Sequence, residues 1–337
     1  MIQSAGRPTL ADVARRAAVS LKTASRALNG EYGVAAATSA RVHDAARDLG
    51  FRPNHLARSL AAGGPSAAVG LVLSSVSDPF FAAISGAVEC VFAPRELQLL
   101  SASHGDDPER QRTIVRTFVE RRLDAIVLVP APGDASYLAA EMDHGLVVVA
   151  IDRPADGVDL DTCLVDNRGG AVEAVARLVE RGHRRIAAVG VDHRLWTLRE
   201  RFAGYRQGLA AAGLPLDDAL VDLDCRDAAG ADRTVRRLTA LADPPTALLA
   251  VQFMAGRGVV HAVRATGVPL DVAVFDEPVD TDLLLTPPVV VVASGPDRLG
   301  ALGATMALER LDGWAGPGRH VVLPPLYRGS PATLTLP

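Results

Sequence analysis

Lysine is almost missing from this sequence. One lysine, Lys22, stands against 34 arginines. A phosphate-binding loop needs a glycine directly before its lysine, and none precedes Lys22, so that nucleotide chemistry is excluded. None of the eight histidines is followed by Glu, which removes the HExxH zinc proteases, and GxSxG and GxGxxG are absent. Cysteine is scarce and odd in number. Cys90, Cys163 and Cys225 lie far apart with no metal-ligand spacing, which argues against a disulfide framework and fits a reducing cytoplasm. Long apolar runs are lacking too. Leu146–Ile151 and Val289–Ala293 are strand-sized, far below the roughly 18 residues of a membrane span. The opening MIQSAGRPTLADVARR has no apolar stretch before a small-residue cleavage site, so no signal peptide is expected and the location is expected to be cytoplasmic. No metal site, cofactor or catalytic constellation is expected.

What is present is a soluble, globular balance. Hydrophobic residues make up 49% of 337 and charged residues 22%, enough for two or three domains with sizeable cores. The net charge of −4 is unevenly spread. Residues 1–62 carry nine basic and four acidic side chains, +5, and the remainder carries −9. A small basic module on an acidic body suggests that the module meets a polyanion and the body does not.

The basic module reads as three short helices. Thr9 is an N-cap with Asp12 three residues on, and Leu10, Val13, Ala14 and Ala17 make one apolar stripe. Ser20 caps a second helix, Leu21 to Leu28, which Asn29-Gly30 ends. Two helices joined by about four residues are a helix-turn-helix, whose second helix enters the major groove by its N-terminal end. A third helix is expected over Ala36–Leu49, with Val42, Ala45, Ala46 and Leu49 inward and Gly50 as a left-handed cap. The segment Asn54–Ala62 is helix-capable but only two turns long, so it is marginal without a partner, and Gly63-Gly64-Pro65-Ser66 is a linker.

TLADVARRAAVSLKTASRALNG followed by TSARVHDAARDLGFRPNHLARSLAAG closely resembles the lactose-repressor (LacI/GalR) family of bacterial transcription regulators. The resemblance implies that Leu21, Lys22 and Arg26 read bases. Thr9, Ser20, Thr23, Ser25, Asn29 and Asn54 match positions that hold phosphates or fix the helices. Leu60, with Ala57 beside it, matches the hinge leucine that wedges into the minor groove. The chemistry agrees: Arg26 is able to bond a guanine edge bidentately, Lys22 reaches guanine acceptors as a point charge, and an inserted leucine kinks the duplex. One departure is Ala35, where the family usually has a Ser or Thr cap for the third helix; its loss costs about 1 kcal/mol.

From Ala67 on, near-continuous aliphatic strands alternate with helices. Strands are expected at Ala67–Leu73, Leu97–Ser101, Ala125–Val129 and Leu146–Ile151, then at Ile186–Gly190, Val221–Asp224, Ala247–Gln252, Val272–Phe275 and Val289–Ala293. Among the intervening helices, Asp134–His144 and Ala171–Arg181 are two examples. The pattern implies two doubly wound parallel sheets with a ligand crevice beyond the strand carboxyl ends. The expected fold is thus an all-α helix-turn-helix headpiece plus an α/β core of two subdomains, like periplasmic binding proteins. Expected boundaries are 1–53 for the DNA-binding domain, 54–66 for the hinge and 67–337 for the effector-binding and dimerisation domain. Its N-subdomain takes about 67–165 and 294–323, its C-subdomain 166–293 and 324–337.

The resemblance continues through SDPFF at Ser77–Phe81, DDPER at Asp106–Arg110, IDRP at Ile151–Pro154, VDNRGGA at Val165–Ala171 and RERFAGYRQGL at Arg199–Leu209. It implies a pocket of Arg201, Asp276 and Phe80, and further pocket positions occupied here by His104, Cys225 and Gln252. Several of these depart from the family. Val251-Gln252 replaces Asn-Asp, Cys225 replaces an aromatic, Ser103-His104-Gly105 replaces Asn-Thr-Asp, and Asp271–Glu277 is about two residues short. The expected function is a DNA-binding regulator, a repressor, acting as a homodimer on a near-palindromic operator. A sugar or related metabolite bound between the subdomains is expected to modulate it. The alternatives are a solute-binding protein or an α/β enzyme on the same core. The absent leader and the headpiece weigh against the first, and the lack of a nucleophile–base pair against the second.

Overall fold

A computed structural model describes residues 8–52, 66–190, 192–222, 225, 228–276 and 289–329. The chain falls into two compact units, Met1–Ser66 and Ala67–Pro337.

In the first unit, α1 (Leu10–Arg16), α2 (Leu21–Leu28) and α3 (Ala36–Leu49) form a three-helix cluster. Its core is Val13, Ala14, Ala17, Ala24, Ala27, Val42, Ala45 and Ala46. Six of these eight side chains are alanine or its equal in bulk, so the helices approach closely but bury little apolar area each. Local capping sets the ends. The Thr9 amide donates to Asp12 Oδ2 (2.9 Å) while Thr9 Oγ1 accepts from the Asp12 amide (3.3 Å), a reciprocal box. Ser20 Oγ accepts from the Thr23 amide at 3.1 Å. Gly50 closes α3 at φ 64°, whereas Ala35 at its start offers no side-chain cap.

In the second unit, twelve strands among the described residues make two six-stranded sheets. Sheet one runs β11–β5–β4–β3–β1–β2, all parallel, from β1 (Ala68–Leu73), β2 (Gln98–Ser103), β3 (Ala125–Leu128), β4 (Val147–Ile151), β5 (Asp161–Val165) and β11 (His320–Leu323). Sheet two runs β12–β10–β9–β8–β6–β7, from β6 (Ile186–Val189), β7 (Val221–Asp222), β8 (Ala247–Ala250), β9 (Asp271–Phe275), β10 (Val289–Ala293) and β12 (Leu326–Gly329); only β12 is antiparallel to its neighbour. The inner strands β1, β3, β4, β6, β8 and β9 are apolar on both sides because helices cover both faces. On sheet one, α4 (Pro79–Phe92) and α11 (Pro296–Leu311) bury Ile84, Val88, Phe92, Leu299 and Met306 against one face. Against the other, α5 (Pro108–Glu120) and α6 (Tyr137–Asp143) bury Val115, Phe118 and Leu138. On sheet two, α7 (Asn167–Glu180) and α8 (Trp196–Ala211) cover one face with Leu178, Tyr205 and Leu209. The other is covered by α9 (Ala228–Thr239) and α10 (Phe253–Thr266), with Val235, Leu238 and Val259. Helices α7 and α8 touch so closely that a Cβ on Gly204 would lie 2.2 Å from the Arg168 carbonyl oxygen.

The expected fold class is borne out, with corrections in detail. Strands β5, β11 and β12 escape the pattern reading. Helix α7 begins at Asn167 rather than Ala171, because Asp166 caps it through the Gly169 amide at 2.7 Å and so carries it over Gly169-Gly170. Helix α6 begins at Tyr137, not at Asp134. The start of β5 is also a clasp. Asp161, 1% exposed, accepts from Arg310 of α11 (2.8 and 3.0 Å) and from the Arg319 side chain ahead of β11 (2.7 Å). Both guanidiniums stack on Trp314, each 4.1 Å from its ring centre. Burial pushes the Asp161 carboxyl up, but the arginine hydrogen bonds more than offset it and hold it at about 2.

The chain runs from sheet one to sheet two between β5 and α7, back between β10 and α11, and across again between β11 and β12. In each sheet the strand order reverses beside one strand: β1 lies between β2 and β3, and β6 between β7 and β8. Carboxyl ends at such a reversal are where open α/β sheets leave a crevice.

Candidate functional site

Helix α2 offers a polar face. Ala24 and Ala27 are buried, and at about 100° per residue Lys22, Ser25 and Arg26 point away from them. Leu21 is 54% exposed and Lys22 is exposed. Ser20 and Thr23 bond each other (Oγ to Oγ1, 2.8 Å), so they fix the helix start. Arg26 is not loose. Its Nη2 donates to the Tyr32 carbonyl, and its Nε lies 3.4 Å from Glu31 Oε2. Asn29 Nδ2 donates to Glu31 Oε1 at 3.2 Å. Asn54, Ala57 and Leu60 lie outside the described residues.

In the second unit, Asp276 follows β9 in a left-handed conformation, φ 61°. Its Oδ1 accepts from the Ser294 amide at 2.8 Å, and its Oδ2 lies 3.6 Å from Arg201 Nη2. Arg201 comes from α8 and is almost wholly buried. Its Nε donates to Asn167 Oδ1 (2.7 Å), its Nη1 to the Val251 carbonyl (2.9 Å) and its Nη2 to Ser294 Oγ (3.4 Å), and it lies 4.0 Å over the Phe275 ring. Burial lowers the Arg201 pKa and raises that of Asp276, against the attraction between them.

Sheet one contributes a matching set at its strand ends. Arg153, after β4, donates to Asp152 Oδ2 and Asp106 Oδ1, both at 3.0 Å. Asp106 and Asp152 are left-handed, φ 59° and 70°, as Asp276 is. Each of these three aspartates follows or faces a strand end and is ion-paired, Asp106 and Asp152 to Arg153 and Asp276 to Arg201; aspartate is among the few non-glycine residues that accept this conformation. Asp78 caps α4 through the Phe80 amide at 2.9 Å. Burial raises its pKa first, and the charges of Asp276 and Asp152 add to that, which places carboxylates of both sheets within electrostatic reach of one another.

Of the expected pocket residues, Arg201 and Asp276 are brought together. Phe80 is half-buried and packs edge-on against Phe81, with ring centres 5.2 Å apart. Gln252 is half-buried at the start of α10, makes no capping bond there, and sits beside Gly190. The surroundings of two further expected pocket residues are fixed by the fold. His104 is 1% exposed and has both ring nitrogens engaged: Nδ1 accepts from the Asp106 amide (3.0 Å), so Nε2 carries the proton it donates to the Val129 carbonyl (2.8 Å). Burial lowers its pKa, which favours the neutral ring that braces this loop. Cys225 is fully buried in the core of sheet two, with its carbonyl beside Gly190 and Gln252. Val251 acts through its carbonyl, which accepts from Arg201. Asp78, Asp106, Asp152, Arg153, Asn167 and Ser294 were missed as individual residues. Four of the six stand beyond strand ends in the SDPFF, DDPER and IDRP stretches, and Asn167 in VDNRGGA, which was the available signal. Among the described residues no cluster of three His, Cys, Asp or Glu side chains is placed to hold a metal ion, and no helix is long and apolar enough to cross a membrane.

Comparison with known proteins agrees with both units. Residues 9–54 match the model for bacterial regulatory proteins of the lacI family, and residues 175–330 match a periplasmic binding protein-like domain. The HTH-type transcriptional regulator GalR of Escherichia coli is 32% identical over 230 residues, 68% of this chain and 67% of GalR. The HTH-type transcriptional repressor PurR of Aliivibrio salmonicida is 26% identical over 310 residues, 90% of this chain and 92% of PurR. The crystal structure of a putative ribose operon repressor from Burkholderia thailandensis superposes with a TM-score of 0.69 at 30% identity, covering 78% of this chain and 99% of that one.

Proposed function

The chain belongs to the lacI family of bacterial regulatory proteins, and on that premise we propose a specific division of labour for it as a transcriptional repressor. Residues 1–53 are its DNA-reading domain, 54–66 its hinge, and 67–337 its effector-binding and dimerisation core. Two copies set two α2 helices into successive major grooves of a near-palindromic operator, in the cytoplasm. Leu21, Lys22 and Arg26 meet base edges. Thr9, Ser20, Thr23, Ser25, Asn29 and Asn54 hold phosphates or fix the helices, and Leu60 with Ala57 wedges the minor groove. The relatives named above are transcription regulators, not enzymes.

The observation that carries this reading is the outward face of α2, where Lys22 and Arg26 stand clear of the buried Ala24 and Ala27 on a module of charge +5. The crevice takes a small polar metabolite rich in hydroxyls. Asp78, Asp152 and Asp276 supply acceptors, Arg153 and Arg201 supply donors already oriented by ion pairs, and Phe80 and Gln252 complete the wall. A ligand that binds one spacing of the two sheets better than another shifts the hinge, and with it the operator affinity.

In vitro selection of duplexes from a random library by the full chain tests the reading. The expected product is an inverted repeat whose half-site centres are about one helical turn, or a multiple of it, apart. Enrichment of no sequence, or of a single unrepeated element, contradicts it.

A further inference from the structure

Glu31 is an acidic residue beside the helix that is to meet a polyanion. Its charge repels phosphate, so its place there calls for a reason. The geometry around Arg26 supplies one. A guanidinium has two edges able to make paired hydrogen bonds: the side-on edge, Nε with Nη2, and the end-on edge, Nη1 with the second hydrogen of Nη2. In this chain the side-on edge is engaged by one hydrogen bond and one ion pair. Nε faces Glu31 Oε2 at 3.4 Å and Nη2 donates to the Tyr32 carbonyl. The end-on edge has no partner among the described residues. Glu31 is itself held, since Asn29 Nδ2 bonds its other oxygen at 3.2 Å and its amide donates to the Arg26 carbonyl at 3.0 Å. The loop that carries these groups wraps the guanidinium tightly. Gly33 sits at φ 93°, and a Cβ there would lie 3.0 Å from Arg26 Nη2. Glycine meets both demands at once: it tolerates the left-handed backbone and leaves room for the arginine.

We propose that Glu31 is a positioning residue for sequence discrimination: with the Tyr32 carbonyl it grips Arg26 by its side-on edge and presents the end-on edge to a guanine. The inference rests on the reading of α2 as the groove-entering helix. A fixed fork distinguishes guanine from other bases better than a mobile one, because less side-chain freedom is lost on bonding. The same carboxylate weakens attachment to every duplex alike by repelling the backbone. Glu31 therefore exchanges general affinity for selectivity.

The test uses the full chain and duplexes obtained by selection. Arg26→Ala first identifies the base pair whose preference depends on Arg26. For Glu31→Ala, the ratio of affinities for the selected site and for that site with this pair replaced is expected to fall about three- to fivefold, the scale of a half-exposed ion pair. Affinity for random duplex is expected to hold or rise. Glu31→Gln, which keeps an acceptor but loses the charge, is expected to lie between wild type and Glu31→Ala in that ratio. An unchanged ratio in both variants overturns the proposal. So does an equal loss on selected and random duplexes, which marks a merely structural residue. If Arg26→Ala alters the preference at no base pair, the reading of α2 fails and the role of Glu31 falls with it, a result distinct from the other two.

Discussion

Arg26 and Arg201 are the same side chain under opposite conditions. Arg26 sits on a half-exposed helix face, gripped along one edge and open along the other. Arg201 is enclosed, with Asn167, Val251, Ser294, Asp276 and the Phe275 ring around it. The contrast separates two ways of holding a functional charge. On the headpiece, solvation keeps the charge cheap and function needs only direction. In the crevice, desolvation makes an unpaired charge costly, so each arginine arrives with carboxylates attached and the site doubles as structure. Altering the first is expected to change recognition and spare stability, whereas altering the second changes stability first.

The largest effect is expected for Arg201→Ala. It leaves Asp276 buried without its cation and should cost the core about 3–5 kcal/mol in urea unfolding. A loss under about 1 kcal/mol would mean that the crevice tolerates free charge as the headpiece does, and the contrast would dissolve. A second test concerns Asp161, which shares the buried-carboxylate arrangement away from the crevice. Its folded pKa of about 2 lies below the ordinary 3.8, so its stabilisation is complete above about pH 4 and disappears as pH falls toward 2. The difference corresponds to about 2 kcal/mol. Wild-type stability should fall through that window more steeply than that of Asp161→Asn. Parallel slopes would remove Asp161 from the account.

Sequence made the headpiece legible because its signals are local. Thr9, Ser20 and Gly50 act within a few residues of themselves, and each does what its type and spacing imply. The aliphatic strands were equally open to reading. Strand β5 was not, since DTCLV opens on the charge that makes the Asp161 clasp, and β11 alternates exposed and half-buried residues at a sheet edge. The crevice was legible in its long-range pair, Arg201 and Asp276, but not in its wiring. Whether His104 faces a ligand or its own loop depends on the direction of the Asp106 amide, and whether Cys225 lines a crevice depends on how it packs in the core of sheet two. Neither is encoded in spacing. Asp152-Arg153 shows the same limit from the other side. Two opposite charges in succession carry no local sign of burial, yet both are buried and bonded to each other.

Helix α2 is the element assigned to reading DNA, and comparing affinity for selected and random duplex in wild type, Lys22→Ala and Arg26→Ala tests that assignment. The predicted result is a loss of about 1–3 kcal/mol on the selected duplex for a bidentate contact, a smaller loss on random duplex, and an unchanged unfolding midpoint. Equal losses on both duplexes would make these side chains phosphate contacts and contradict the assignment of α2 as the reading helix.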